Sequence, residues 1–600
     1  MRDKMKPKKK PKKAKRVHAI DEIWARTFRT TNRNVALFAS KLSFQQLSDF
    51  KKLVGVDGYR ILQDVLMQIS GQKNPEENLI SMDIPTLNQL EESIQTELRA
   101  LAFNINQPID CILSFDGTSF NAQTIITSHG NVKGVTKTQS DQFKAGKLDK
   151  SELKPLQSLY ALIVTPVDPQ YPSFTVHCHF AVTPQFTDNI YTLVMDCVQA
   201  LQTNKINIIG MSFDGEPNQK QAFTNQFFNY LLNNRYNSDG SLKNIIQVLN
   251  QYNGILIFCE PLHLAKRIRS YIILNDSVVE ISDKPTTQDQ IVNRKLFIDV
   301  LGDDLPGYAV SLNSKLRMSD QAATQLMKPN HIDELVDQKE YVLTLIHLIS
   351  YPLMIPFGSY NKEILLQALL FCLEVQWNYY QYLIEPNGQA SNVKQRQART
   401  ELKTFLDPNF LSEIICYTSS LYYLLSTYNT VYGYSVSSAC DENFFGQLKY
   451  RCGTNLSILS AISETKRLLQ SQMLKRSLEI TSTYRNQHFK YSAIFVGLEQ
   501  VTQNQLRYAR SLAKILVHTL CYQEQFNIDI SRNNQVSFQD VLEFIKSCGF
   551  GNFQLCSNFD EANYIEQSKS TLSSIIAERL TRIYSAKEYK SSSDNTKQKK

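Results

Sequence analysis

Cys111-Ile112-Leu113-Ser114-Phe115-Asp116-Gly117 is a short apolar run closed by a carboxylate and a glycine. It is too short for a free-standing helix, and it reads as a buried strand over 111–116. Ile208-Ile209-Gly210-Met211-Ser212-Phe213-Asp214-Gly215 repeats the design, and Ile206 to Phe213 reads as a second buried strand. Between them, Ala122 to Thr127 has a short strand pattern. Leu159 to Thr165 and Phe174 to Val182 flank a Pro-rich turn and read as a hairpin. Ile190 to Leu201 is helical, with Leu193, Val194, Cys197, Val198 and Leu201 on one face. Asn218 to Asn233 is helical, Gly254 to Cys259 is a strand, and a helix follows through His263 to Ile273. Antiparallel strands first, then strands linked through crossover helices, is the order of an RNase H-like core, an α/β fold with a mixed sheet and flanking helices. In such sheets ligands gather at the carboxyl ends of strands, where Asp116 and Asp214 lie.

Outward from this core the pattern is mainly helical. Residues 17–104 read as a helical amino-terminal region that serves dimerisation or DNA binding. Asp49 to Val54 and Tyr59 to Ile69 suggest amphipathic turns, and Leu87, Leu90, Ile94, Leu98 and Leu101 form a stripe of core or coiled-coil type. The core occupies 105–275. Residues 276–435 read as a large all-α insertion, and the core resumes at 436–478 with a helix opened by Glu442. Residues 479–584 are mainly helical.

The chain of 600 residues carries a net charge of +8, but residues 1–16 alone hold ten Lys/Arg against one Asp. Residues 585–600 hold five Lys against two acids, which leaves the body at −4. The basic character therefore sits in two tails that read as disordered, the kind that serve nuclear import or bind nucleic-acid phosphates. No apolar run reaches the roughly 18 residues of a membrane span. The eleven cysteines are scattered, with no Cys-x-x-Cys pair and no zinc-finger spacing, as expected of reduced thiols.

Taken one at a time, the candidate site residues have ordinary explanations. Asp-Gly after a strand is turn chemistry. Ser438 to Asp441 reads as a capping box, and acids favour a first helical turn. Glu260-Pro261-Leu262-His263-Leu264-Ala265-Lys266-Arg267-Ile268-Arg269 opens a helix whose His263, Lys266 and Arg267 share one face, which suits either a phosphodiester or a solvated basic helix. Asp529 to Asp540 spaces oxygens like an EF-hand loop, but Asn534 replaces the usual Gly and Asp540 the bidentate Glu, so a polar turn before a helix is the expectation.

Together, these clusters resemble transposases of the P-element and THAP-domain type. The family carries two aspartates on core strands, an Asp-Pro-Pro-His-Leu-x-Lys-x-x-Arg signature and a Glu-Asn-Phe-Phe-Gly signature. Here they correspond to Asp116, Asp214, Glu260 to Arg269 and Glu442-Asn443-Phe444-Phe445-Gly446, and Asn313 to Ala323 resembles a segment of the family's insertion. The likeness covers about 110 to 475. Glu260 replaces the family's Asp, Leu262 replaces a Pro, and no THAP zinc finger is present.

The resemblance implies that Asp116, Asp214 and Glu442 are the catalytic and metal-binding acids. They would hold two Mg²⁺ (or Mn²⁺) about 3.5–4 Å apart for DNA cleavage and strand transfer. His263, Lys266, Arg267, Arg269 and Lys449 are the expected DNA-binding or accessory residues. DNA partners, a homo-oligomer (dimer or tetramer) and a nuclear location follow from the same likeness. GTP in the insertion rests on resemblance alone, since no Gly-x-x-x-x-Gly-Lys-Ser/Thr loop occurs. Two other classes remain open: a catalytically idle, transposon-derived DNA-binding or chromatin protein, and a helical protein-interaction scaffold. In the scaffold the three acids would be dispersed in space.

Overall fold

The computed structural model describes residues between 79 and 555. Residues 101–107, 169–170, 172, 239–242, 275–278, 281–290, 293, 303, 313–318, 360–361, 385–405, 429, 453–455, 478–493, 497–500, 523–527 and 532–533 within that span are not described. The amphipathic turns expected before residue 79, both basic tails and most of the Asn313 to Ala323 segment lie outside the described residues.

One six-stranded sheet organises the molecule. Its strands are β1 (Ile80–Ser81), β2 (Ile109–Ser119), β5 (Ser158–Pro166), β6 (Phe174–Ala181), β7 (Ile206–Phe213) and β8 (Leu256–Cys259), in the order β1-β6-β5-β2-β7-β8. The strands β3 (Ile125–Ile126) and β4 (Val132–Lys133) form a separate antiparallel ribbon. β2, β5 and β6 pair antiparallel, whereas β7 is parallel to β2 and β8 to β7. With β2 as the first core strand this is the 3-2-1-4-5 order of an RNase H-like fold, extended at one edge by β1, which pairs parallel to β6.

Both faces of the sheet are covered, which is why its strands read as nearly continuous apolar runs; β5 and β6 are buried at every position. Helix α1 (Leu87–Ala100) packs on β6 and on α3 (Asp188–Thr203), which follows the short helix α2 (Lys137–Lys144) in the chain. Leu90, Ile94 and Leu98 of the α1 stripe are buried in the common core, so they are not free for a coiled coil. Helical segments, among them α4 (Asn225–Asn234) and the short helix Ile245–Asn250, link β7 to β8, and α5 (Pro261–Arg269) follows β8. Beyond it come α6 (Asp320–Leu326), α7 (Tyr341–Met354), α8 (Lys362–Ile384) and α9 (Pro408–Thr427). α9 packs on β8, with Phe258 and Tyr417 edge to face at 6.3 Å. The chain then returns through α10 (Ala439–Cys452) and α11 (Ile458–Ser477). α12 (Gln503–Val517) packs on α8, and Thr430–Tyr432 pairs with Ile494–Val496, so carboxy-terminal segments interleave with the helical region rather than standing apart.

Two local expectations are corrected. β1 lies in a stretch that reads as helical; two residues are too few to show a period. The strand read at Ala122 to Thr127 contracts to Ile125–Ile126 and lies outside the main sheet. The oxygen-rich stretch from Asp529 is a hairpin, Ile528–Ser531 with Asn534–Val536, followed by the helix Phe538–Ser547. Asp540 accepts from the backbone and hydroxyl of Ser537, both at 2.7 Å, in a capping box. Its carboxylate therefore serves the helix start. All ten described cysteines are free and buried. No helix among the described residues is long and apolar enough to cross a membrane.

Candidate active site

Register places the acids. β2 stays paired with β7 up to Ser114 opposite Ser212, and with β5 as far as Ser119 opposite Ser158. Asp116 therefore does not end its strand: it lies two residues past the last β7 pairing, where β2 and β7 have separated. Asp214 lies two residues past Ser212, level with Asp116. Phe213 pairs with Cys259, and the Glu260 amide donates to the Phe213 carbonyl at 3.0 Å, which puts Glu260 level with Asp214. Three carboxylates thus stand in a row, Asp116 where β2 parts from β7 and the other two just past the carboxyl ends of β7 and β8, the end at which such sheets hold ligands.

Each has its local reason. Asp116 Oδ1 accepts the Gly117 amide at 2.6 Å. A Cβ at Gly117 would meet the Tyr160 ring at 2.7 Å, and that ring is pinned by its hydroxyl on the Pro184 carbonyl at 2.7 Å. Only glycine lets the strand pass. Gly215 has φ +82, the left-handed conformation that turns the chain after Asp214. Glu260 is the N-cap of α5 and accepts the Leu262 amide at 3.3 Å.

α10 brings the remaining acids over β2 and β5. Its start is tied down by Glu260, which accepts the Ser438 amide at 2.5 Å and the Ser438 hydroxyl at 3.0 Å. This replaces the capping box expected between Ser438 and Asp441. Glu260 takes the amide that Asp441 would have accepted, and both Asp441 carboxyl oxygens are buried without a hydrogen-bond partner. Ser114 is close enough to favour the charged form of Asp441, but its hydroxyl proton is directed to the Ile163 carbonyl at 3.2 Å. A hydroxyl has one proton, and we assign it to the carbonyl.

The site is short of positive charge. Burial pushes Asp116 up to about 6, assisted by Glu442 and Glu216 and opposed by the Gly117 amide and Lys449. Burial and then Glu442 push Glu260 up to about 7. Asp441 is held well above the usual carboxylate range by burial, then by Asp116, with Glu442 and Glu260 adding to it. Asp116, Glu260, Asp441 and Glu442 therefore form one mutually repelling group.

Asp214 is in contact with His263 Nδ1 through its Oδ1. Burial, with Lys266 and Arg267 alongside, holds the His263 ring down at about 4. The contact joins one ring nitrogen to one carboxylate oxygen at the end of β7.

The expected DNA-binding cations have other partners. Lys266 is buried and pairs with Asp320 of α6 at 3.1 Å. Arg267 pairs with the buried Glu413 of α9 at 2.7 Å and lies 4.0 Å over the Phe410 ring, while Lys220 pairs with the same Glu413 at 2.6 Å. Arg269 is fully buried, donating to the Ala309, Tyr308 and Ser311 carbonyls. Lys266 and Arg269 are buried among these partners, and Arg267 joins the core to α9. Lys449, exposed on α10, is the remaining cation of the expected set and acts directly on Asp116. Sequence reasoning missed Asp441 as a group member, Glu413 and the tie between Glu260 and Ser438; a sequence displays charges but not which of them share a cavity.

A hard divalent cation suits all-carboxylate donors, and the orphaned Asp441 oxygens beside Asp116 and Glu442 are buried acceptors that such a cation would satisfy in place of a proton. In donor chemistry the group fits. Among the described residues, however, no three His, Cys, Asp or Glu side chains are arranged to hold one ion, and Asp214 rests on His263.

The topology and the row of acids define the class of the chain: an RNase H-like α/β protein with acids at the strand ends. No protein-family model matches the chain, and no curated protein does. Among solved structures it is similar to a Drosophila P element transposase strand transfer complex, with 15% identity and a TM-score of 0.40 over 74% of this chain and 99% of that one.

Proposed function

We propose that the protein is a DNA strand-cleaving and strand-transfer enzyme of transposase type, working in the nucleus with Mg²⁺ or Mn²⁺. The observation that carries this reading is the row Asp116, Asp214 and Glu260 at adjacent strand ends, with Glu442 on α10 acting on Asp116. Asp116, Glu442 and Asp214 are the residues to hold the cation. When bound, the cation would supply Lewis-acid stabilisation of the phosphodiester's developing charge.

The chain's own groups have separate tasks. In the metal-free protein burial and Glu442 push the Asp116 carboxyl up to about 6, so the cation that it would hold competes with a proton for the same oxygens. Glu260 fixes where α10 begins through Ser438, and thereby where Glu442 sits. His263 steadies Asp214, and Lys449 offers an exposed ammonium to a phosphate beside Asp116. Joining two DNA ends calls for a dimer or tetramer.

The catalytically idle alternative is favoured by one observation, the contact of His263 with Asp214, which occupies one of that acid's oxygens. Cleavage of plasmid DNA by the full chain with Mg²⁺ separates the two. The enzyme reading expects nicking that falls by about a hundredfold or more in Asp116→Asn and Glu442→Gln. Equal nicking by those variants, or none by the wild type, favours the idle protein.

A further inference from the structure

The connection between β2 and β5 is far longer than a hairpin needs. It spans 120–157, leaves the sheet at the end that bears Asp116, and contains β3, β4 and α2. Its base is rigid. The Phe120 amide donates to the Gln157 carbonyl at 2.7 Å. Asn121 bonds the start of α11 through its amide to the Leu456 carbonyl at 2.8 Å, and accepts the Ile458 amide at 2.9 Å. The excursion is thus clamped between the sheet and the helix that follows α10. At its far side Asp83 accepts the first amides of α2, from Lys137 at 3.0 Å and Thr138 at 3.3 Å.

Its surface differs from that of the remaining body. Six lysines, Lys133, Lys137, Lys144, Lys147, Lys150 and Lys154, stand against three acids, and no acid occurs between Gly117 and Ser140. All six lysines are exposed, and none is in an ion pair with a described residue. On the ribbon Ile125 and Ile126 are 45% and 40% exposed, and Leu456, hydrogen-bonded to the base of the excursion, is 38% exposed. Adjacent exposed isoleucines on a rigid, cationic ribbon have no use in the core.

We infer that this excursion is a docking surface for duplex DNA, with its lysines on backbone phosphates and Ile125, on the same face of the ribbon as Lys133, against a groove wall. Charge complementarity selects the partner: unpaired lysines on an otherwise acidic body match a polyanion, and apolar side chains beside them are what groove-binding proteins place against sugars and base edges. The inference rests on the reading that the neighbouring acids act on DNA, and it assigns where that DNA lies: along the carboxyl end of β2, beside Lys449.

The test is binding of the full chain to a fluorescent duplex in EDTA, followed over a range of salt, so that cleavage plays no part. In the K133A/K137A/K144A variant the slope of log affinity against log salt is expected to fall by about 2–3, near 0.9 for each phosphate that is no longer neutralised. The corresponding triple arginine variant should restore it. I125S/I126S is expected to weaken binding about threefold or more with the salt slope unchanged. Because all five positions are exposed, circular dichroism and Tm should match the wild type. If the wild type binds duplex and the lysine variant keeps its affinity and slope, the docking surface is refuted while the strand-cleaving reading stands. If the wild type binds but fails to nick with Mg²⁺, the functional reading falls and the surface survives. Absence of duplex binding by the wild type overturns both.

Discussion

Asp116 stands in a folded environment that disfavours its own charge. Its carboxyl, pushed up to about 6, holds a proton that the unfolded chain releases near 3.8. Between those values the folded state binds more protons than the unfolded one. Stability therefore declines as pH rises through that window, and the cost is complete above about 6. Asp116→Asn should raise the stability of the metal-free protein at pH 8 by on the order of 1–2 kcal/mol, with the gain vanishing near pH 4. Urea denaturation at the two pH values checks this, and a loss of stability at pH 8 would show that the carboxylate is already compensated. Mg²⁺ should raise the Tm of the wild type more at pH 8 than at pH 5, because cation and proton compete for the same oxygens.

At the scale of elements, the ties around α5 and α10 decide whether the acids face one another. Glu260 caps α5 and anchors Ser438 ahead of α10. Glu260→Ala removes the cap and leaves a buried amide unsatisfied, partly offset by removal of a buried acid, for a net loss of about 2 kcal/mol. Faster amide exchange at 438–442 is the expected signature, and unchanged exchange there would leave Glu260 as a cap for α5 alone. Glu413→Ala should cost about 3 kcal/mol, because it strands Lys220 and Arg267 against α9; Tm and denaturant midpoint report it.

The elements that carry the site were legible where apolar runs were long enough to show their period. β2, β5, β6, β7 and β8 all lie in stretches that read as strands, and their order led to the RNase H-like sheet. β1 and β4 were not legible, since two residues cannot display alternation, and β3 was read longer than it is. The fates of Lys266, Arg267 and Arg269 were also hidden. A basic helix face looks the same in sequence whether it meets phosphate or, as here, Asp320, Glu413 and three carbonyls.

The whole molecule carries two opposed sets of buried titratable groups. His177 and His331 are held down at about 3, and His179, His263 and His347 at about 4, each chiefly by burial. Below the ordinary histidine value near 6.5 the unfolded chain takes up protons that the folded chain refuses, so stability falls as pH drops from about 6.5 toward 4. Glu260, raised to about 7, and Asp116 act in the other direction. The metal-free protein is accordingly expected to be most stable near pH 6.5–7, with the steeper loss on the acid side, where five rings titrate together. A Tm profile across pH 4–9 checks this; a maximum below pH 5 would contradict the buried, neutral state of the histidines.

The central claim is that the acids at the strand ends and on α10 form one cation-binding centre. Anomalous diffraction from a crystal of the full chain soaked in Mn²⁺ tests it most directly. The account predicts density between Asp116 and Glu442, with Asp214 released from His263 and turned toward the ion. Density elsewhere, or none at these residues with Asp214 still held by His263, would contradict it.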